Sequence, residues 1–361
     1  MAELLKNRYN QSFFQQLIND FAKHHQDFNA NDFLDLIYSD GWEEKELKDR
    51  MRHISLKLHK YLQLPYAQTI ALFKKVISET EGTSFERMFF PDYVEVFGME
   101  ELELSLDALA HFTSYASSEF AIRPFIKRYP EQVMQQLQHW AEHPNFHVRR
   151  LASEGCRPRL PWAMALPAFK ANPEPILPIL EKLKADPEDY VRRSVANNLN
   201  DISKDHPSLA LEIAEKWHGK NNHTNWVVKH ACRGLLKQGH TRALVLFGFS
   251  DPSDIEVSRL RMDQTTIAIG EAVKFQFQLK NKASFRSKLR LEYLIHFVKK
   301  NGTTSPKVFQ ITENYFEPGI HDFSKKQSFQ DLTTRKHHPG QHRLTILVNG
   351  REMANLSFEL L

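Results

Sequence analysis

The helix-like stretch VRRLASEG, residues 148–155, places a carboxylate among arginines and is the first candidate for chemistry in this sequence. Glu154 follows Arg150 by four residues, so the two side chains share one face of a helix. Together with Arg149, Arg150 forms a basic pair of the kind that suits the phosphates of a polyanion. The stretch therefore combines a phosphate-binding pattern with a carboxylate on the same helix.

The next residues, RPRLPW, predict a rigid loop. Its two prolines fix φ and end the helix, so that Arg157, Arg159 and Trp162 are displayed at defined positions. The tryptophan is either a platform that stacks on a base or sugar, or a core residue, and the pattern favours neither.

A second stretch, VRRSVANNLND, begins 43 residues after the first with the same Val-Arg-Arg. In a helix, Ser194, Asn197 or Asn198, and Asp201 share one face. Asn and Asp favour caps and turns over helix interiors. The stretch therefore indicates either a polar site or a helix that ends early.

These stretches belong to an internal repeat. HPNFHVRRLASEG, DPEDYVRRSVANN and NHTNWVVKHACRG align on Val148, Val191 and Val227, which lie 43 and 36 residues apart. An aromatic residue or a histidine precedes each valine, and basic residues follow it. Repeats of about 40 residues built from helix pairs are typical of HEAT-like solenoids.

Stacked repeats bring equivalent positions together on one surface, which predicts a basic stripe that binds nucleic-acid phosphates. The stripe consists of Arg149, Arg150, Arg192, Arg193 and Lys229. The alternative is that such residues cap helices or form salt bridges with a neighbouring repeat. Because the doublets recur in register, the pattern favours nucleic acid.

The elements that must position these residues follow two periods. Up to about residue 250, apolar residues recur at helical spacing, and we expect Asp186 to cap a helix whose first position is Pro187. After about residue 255, apolar and polar residues alternate between Gly-containing turns. We therefore predict a mainly α chain, with a HEAT-like helical-repeat solenoid over residues 1–252 and an immunoglobulin-like β-sandwich over residues 256–361.

Within the predicted sandwich, KNKASFRSKLR at residues 280–290 carries five basic residues and no acidic one. It is either a charged surface or a second contact with nucleic acid, for which Lys282, Arg286 and Lys288 are the candidates.

Composition and motifs narrow the class of protein. No apolar run approaches the ~18 residues of a membrane span, and the N-terminus carries no cleavable apolar segment. Cys156 and Cys232 form no CxxC motif, so we expect no disulfide and a reducing cytoplasm. His337, His338 and His342 lack a partner at ligand spacing, so we interpret them as a solvated loop and expect no metal.

Several long motifs resemble one family. FFPDYVEVFG (89–98), SSEFAIRPFI (117–126), PILPILEKLKAD (175–186) and both Val-Arg-Arg stretches are similar to the DNA alkylation repair glycosylases of the AlkC type. The resemblance covers most of residues 1–250, and the β-rich remainder resembles the immunoglobulin-like domain that some members append.

This resemblance implies a monofunctional glycosylase that excises small N-alkylated bases, notably 3-methyladenine and 3-methylcytosine, from double-stranded DNA, with no metal or organic cofactor. By motif position it implies Glu119, Glu154, Trp162 and Asp201 as active-site residues. A carboxylate would stabilise an oxocarbenium-like sugar and activate water, while the arginines bind flanking phosphates. We expect the protein to act as a monomer in the bacterial cytoplasm.

The competing hypothesis is a non-catalytic HEAT-repeat scaffold that binds nucleic acid or protein. A scaffold has no need for Glu154, Asp201 and Trp162 to converge beside the arginines, whereas a glycosylase does. The placement of these residues therefore discriminates between the two hypotheses.

Overall fold

The computed structural model describes residues 4–79, 84–331 and 336–361. Two compact units make up the chain: one contains the residues up to His206 with Trp217–Ala231, and the other contains Pro207–Lys216 with Cys232–Leu361. Helices come first and strands last, which confirms the predicted mainly α chain that ends in a β domain. None of the helices within the described ranges has the length and apolar character needed to cross a membrane.

The α-helices are α1 Gln11–Ala22, α2 Ala30–Ile37, α3 Leu47–Leu62, α4 Tyr66–Ile77, α5 Phe89–Phe97, α6 Leu102–Phe112, α7 Ile122–Arg128, α8 Pro130–Trp140, α9 Phe146–Gly155, α10 Pro167–Ala171, α11 Leu177–Leu183, α12 Asp189–Asp205, α13 Pro207–Trp217, α14 Asn222–Ala231, α15 Arg233–Lys237 and α16 Thr241–Leu246.

The three aligned segments form the predicted repeat. Val148, Val191 and Val227 are buried in α9, α12 and α14, and α12 packs against both of the other helices. The apolar face of each helix thus anchors it to its neighbours, while the residues around each valine are presented in register.

Helix α12 begins two residues later than predicted. It begins at Asp189, so Pro187 precedes it, and Asp186 instead accepts a hydrogen bond of 2.9 Å from the Glu188 amide. Neither does the helix end early, since it continues to Asp205 despite its asparagines. Hydrogen bonds between α12 and the neighbouring helices offset the poor helix propensity of these asparagines.

The strands are β1 Ile255–Met262, β2 Thr266–Ile267, β3 Ala272–Asn281, β4 Ser287–Val298, β5 Thr304–Phe316, β6 Gly319–Ser328, β7 Gly340–Val348 and β8 Arg351–Leu360. They form a three-stranded sheet of order β1-β3-β6 and a five-stranded sheet of order β2-β8-β7-β4-β5. Pairing is antiparallel except between the short β2 and β8. Phe275 and Phe277 of β3 share one core with Leu291 and Ile295 of β4, which confirms the sandwich.

The expectation of a solvated histidine loop is wrong. His337 and His342 are buried and pack among Phe297 and Phe329, and His338 is half-buried. Their rings extend the sandwich core, which explains why histidines stand beside strand residues here. Across the described ranges, no group of three or more His, Cys, Asp or Glu side chains is arranged to hold a metal ion.

Both cysteines are buried and unpaired. Burial raises the pKa of the Cys156 thiol and of the Cys232 thiol to about 12, so neither is a thiolate near neutral pH.

Candidate active site

Three carboxylates from three parts of the helical region converge on one series of ion pairs. Glu119 lies between α6 and α7, Glu154 in the last turn of α9, and Asp201 within α12. Arg150 pairs with Glu119 and lies 3.4 Å from Glu154 Oε1. Arg157 lies 2.7 Å from Glu154 Oε1 through Nη1 and 2.9 Å from Asp201 Oδ2 through Nε. We call these five residues the charge network, in which carboxylates and guanidiniums alternate.

The charge network is largely closed off from solvent, since Glu154 is 5% exposed, Asp201 2% and Arg157 7%. Burial alone would lower the pKa of Arg157, but Glu154 and Asp201 outweigh it and the pKa is raised. In the same way burial opposes the charge of Arg150, while Glu154 and Glu119 raise its pKa. The network therefore keeps both guanidiniums charged inside the protein.

Each glutamate keeps one oxygen outside the ion pairs. Arg150 and Arg157 both bind Oε1 of Glu154, while Arg150 and the Ser117 hydroxyl both bind Oε2 of Glu119. Within the described ranges, no donor forms a hydrogen bond with Glu154 Oε2 or Glu119 Oε1. Both side chains are thus fixed by one oxygen and able to act on another group through the second.

Asp201 has both oxygens engaged, because Lys204 lies 2.9 Å from Oδ1 while the neighbouring arginine binds Oδ2. The polar residues of α12 set its register against α9. Ser194 hydrogen-bonds Ser153 at 2.5 Å, and Asn198 Nδ2 donates to the Ser153 carbonyl at 2.7 Å. This polar face of α12 therefore joins two repeats and places Asp201 near Glu154.

Trp162 is displayed at the surface, which decides between the two alternatives for this residue. Its side chain is 67% exposed, and its backbone has the left-handed φ of 64°. Its carbonyl accepts a hydrogen bond of 2.7 Å from Lys48 Nζ. The indole makes no ring contact with any residue that the structure describes, so the loop presents it outside the charge network.

The first arginine of each doublet has a structural role, which supports the capping alternative for Arg149 and Arg192 over the DNA-binding stripe. Arg149 donates to the carbonyls six and five residues before it at 3.0 and 2.9 Å, and Arg192 does the same at 2.6 and 2.7 Å. Arg149 also lies 2.6 Å from Asp186 of the next repeat. Both guanidiniums close the loop before their own helix, which is the capping alternative.

The second arginine of each doublet meets the aromatic residue that precedes the valine of the next repeat. Arg150 lies 4.8 Å from the centre of the Tyr190 ring, and Arg193 lies 5.7 Å from that of Trp226. Arg193 is exposed and pairs with an aspartate of its own helix, and Lys229 is exposed on α14. Of the predicted stripe, Arg193 and Lys229 are thus the members at the surface.

The two arginines of the RPRLPW loop also differ in their exposure to solvent. Arg157 is buried in the charge network, so its predicted display toward phosphates is wrong. Arg159 is partly exposed and lies 2.6 Å from Asp205.

The basic run of the sandwich includes two residues with other roles. Arg290 is buried beside a glutamate of its own strand. Lys288 is half-buried and donates to a backbone carbonyl at 2.7 Å, and its contact with DNA stays a prediction. Lys280, Lys282 and Arg286 are exposed and stay candidates.

Three contributors were not found from the sequence. Lys48 binds a carbonyl 114 residues away, and no motif links positions so far apart. Arg123 is fully buried and donates to the carbonyls of Gly155 and Met164, and burial lowers its pKa to about 10. Tyr190 did carry a signal, because an aromatic residue or a histidine precedes each repeat valine.

Comparison with known proteins finds relatives over both units. Residues 99–235 match the family described as DNA alkylation repair enzyme, and residues 256–361 match that of the C-terminal Ig-like domain of the uncharacterised protein YhaZ. YhaZ of Bacillus subtilis strain 168 is 45% identical, with 100% of both chains covered. The solved structure of the Pseudomonas fluorescens alkylpurine DNA glycosylase AlkC, bound to DNA containing an abasic site analog, is 38% identical with a TM-score of 0.95, covering 99% of this chain and 100% of that one.

Proposed function

Because this chain belongs to the AlkC-type DNA alkylation repair glycosylases, we propose that it excises 3-methyladenine and 3-methylcytosine from double-stranded DNA. It acts as a monomer and uses no metal or organic cofactor. The observation that carries the proposal is the convergence of Glu119, Glu154 and Asp201 on two arginines, the buried Arg157 and the half-buried Arg150. A non-catalytic scaffold has no use for three carboxylates gathered at one place, so this geometry favours the enzyme.

The chemistry suits a cationic lesion. An adenine or cytosine alkylated at N3 carries a positive charge, so the base is already a good leaving group and needs little acid catalysis. When the N-glycosidic bond breaks, its electron pair goes to the base and neutralises it, while positive charge develops on the sugar. A fixed carboxylate stabilises that sugar cation electrostatically, and an uncharged normal base gains much less from the same site.

We assign the electrostatic role to Glu154. Two guanidiniums hold its Oε1 in place, which leaves Oε2 to face the developing sugar cation. Glu119 is held similarly through Oε2, and its Oε1 orients the attacking water and accepts the proton as the oxygen bonds to the sugar carbon. Asp201, with both oxygens engaged, holds Arg157 in register.

Trp162 supplies an apolar surface beside this site. Its exposed indole packs on the sugar or base of the lesion and excludes water from it. The relative AlkC was solved with DNA bound, which supports DNA as the partner here. Exposed Arg193 and Lys229 bind phosphates of that DNA.

Base release from methylated DNA tests the proposal. Purified full-length protein is incubated with duplex DNA treated with a methylating agent, and the free bases are identified by mass spectrometry. We expect 3-methyladenine and 3-methylcytosine to appear with time, and no release from untreated duplex. Binding to the methylated duplex without release of any base would contradict the proposal and favour the scaffold.

A further inference from the structure

Trp162 holds a backbone conformation that a bulky residue seldom adopts. Its φ of 64° lies in the left-handed region, where a side chain clashes with its own backbone. Such a conformation persists where surrounding contacts fix it. Because the indole is exposed, core packing of that side chain does not supply those contacts. They must act on the backbone of the loop.

Lys48, near the start of α3, supplies one of them. Its Nζ donates a hydrogen bond of 2.7 Å to the Trp162 carbonyl. The same ammonium lies 5.0 Å from the centre of the Phe120 ring, where cation–π attraction holds it in place. Phe120 directly follows Glu119 in the chain. One ammonium therefore joins the tryptophan loop to the segment that carries a carboxylate of the charge network.

Arg123 fixes the same loop on either side of the tryptophan. Its Nε donates to the Met164 carbonyl and its Nη1 to the Gly155 carbonyl, each at 2.8 Å. Gly155 is the last residue of α9 and directly follows Glu154. The buried guanidinium of Arg123 therefore holds the two ends of the loop, and Lys48 holds its middle.

We propose that Lys48 is a positioning residue for excision. It holds Trp162 in its strained conformation beside the Glu119 segment, so that the indole meets the lesion in the orientation that the carboxylates require. This inference rests on the proposed function. Lys48 lies outside residues 99–235, the part that matches the DNA alkylation repair family, so α3 adds to the site a residue from outside that match.

A lysine that acted through its charge on DNA would leave a different signature. It would change affinity and its salt dependence, and its removal would have the same effect with or without the tryptophan. A positioning residue changes the rate of the chemical step, and its effect depends on the group that it positions.

A double-mutant cycle on the full-length protein separates these roles. The variants are Lys48→Met, Lys48→Arg, Trp162→Ala and the combination of Lys48→Met with Trp162→Ala. Lys60→Met is the matched control, because Lys60 is an exposed lysine of the same helix and its loss changes the charge equally. For each variant we would measure the single-turnover rate of 3-methyladenine excision from a defined duplex and the Kd for an abasic-site duplex.

We expect Lys48→Met to slow excision about tenfold relative to Lys60→Met, with Kd values that agree within about twofold. Lys48→Arg should recover part of the rate, because a guanidinium also donates to a carbonyl. In the Trp162→Ala background, Lys48→Met should slow excision by less than about twofold.

Two results would overturn the proposal and leave the proposed function standing. One is a Lys48→Met rate equal to that of Lys60→Met while Trp162→Ala is slow. The other is an equal slowing by Lys48→Met with and without Trp162. If Trp162→Ala excises the base as fast as the wild type, the tryptophan has no part in the mechanism and Lys48 has no positioning role. If the wild-type protein itself releases no base, both proposals are overturned.

Discussion

At the scale of single residues, burial decides what each arginine of the RPRLPW loop does. Arg157 lies in the charge network between two carboxylates, whereas Arg159 pairs with one aspartate in partial contact with water. Arg157 and Arg159, although only one proline apart, should therefore contribute unequally to the stability of the fold. A buried carboxylate that loses its partner pays the full cost of desolvation, whereas an exposed one regains water.

Replacing these two arginines tests that contrast. Arg157→Met should lower the free energy of unfolding by about 3 kcal/mol, because Glu154 and Asp201 would be left buried without their shared guanidinium. Arg159→Met is the matched control and should change it little, because water screens that pair. Urea unfolding at neutral pH followed by circular dichroism measures both. Equal losses would mean that the charge network does not stabilise the fold as described.

The residue types of this site were predictable, but the partner of each residue was not. Glu154 and Arg150 were placed on one face by their spacing of four residues, and they do lie together. Arg157 follows a helix end and reads as part of an exposed loop, yet it turns inward to Asp201 on α12. That contact depends on how two repeats pack, which local spacing does not encode.

At the scale of the elements, helix α12 uses the two arginines of its doublet for two tasks. Arg192 donates to two carbonyls of the loop before α12, and its side chain is 11% exposed. Arg193 lies over Trp226 of the next repeat and is 61% exposed. Neighbouring positions on one helix therefore separate a stabilising guanidinium from one that is available to a phosphate.

Substituting one member of the doublet at a time tests this division. Arg192→Ala should lower the free energy of unfolding by about 2 kcal/mol, because charged hydrogen bonds to the loop are lost, and should keep the salt dependence of DNA binding. Arg193→Ala should keep the stability and weaken binding to an abasic-site duplex several-fold. It should also reduce the salt slope, which is the slope of the logarithm of affinity against the logarithm of salt concentration, by about 1. Thermal unfolding measures the stability of each variant, and Kd values at several salt concentrations measure the salt dependence of its DNA binding. The reverse pattern, with Arg192 setting the salt slope, would restore the stripe as first predicted.

The repeat itself was readable from the sequence because its valines recur in a helical context, and all three are buried. The boundaries of α12 were not readable. Pro187 looked like a first helical residue, but Asp186 turns the chain before it and binds Arg149 of the preceding repeat. Asp186 thus takes part in a local turn through Oδ1 and in a tertiary ion pair through Oδ2, and α12 begins three residues after it.

At the scale of the whole molecule, the alternating pattern after residue 255 predicted the sandwich, and both sheets contribute to one core. The same alternation did not reveal which basic residues of 280–290 face water. Arg290 lies on β4 and turns into the protein, whereas Lys280, Lys282 and Arg286 are exposed at the end of β3 and in the loop after it. We propose that these three side chains form a second contact with DNA.

Charge removal in the full-length chain tests that contact. Replacing Lys280, Lys282 and Arg286 together by alanine should weaken binding to an abasic-site duplex and reduce the salt slope by about 3, at unchanged stability. The matched control replaces Lys300, Lys325 and Lys326, three exposed lysines of the same unit, by alanine. Equal effects of the two sets would mean that the run contributes net charge and no specific contact.

The central claim is that the carboxylates of the charge network perform the excision, and one measurement tests it most directly. The single-turnover rate of 3-methyladenine release from a defined duplex is compared among wild type, Glu154→Gln, Glu119→Gln and Asp201→Asn, with Kd for an abasic-site duplex as the control for binding. We predict that Glu154→Gln slows release by about two to three orders of magnitude at an unchanged Kd, because the amide keeps the shape but loses the charge that stabilises the sugar cation. Near-wild-type rates for all three folded variants would contradict the account.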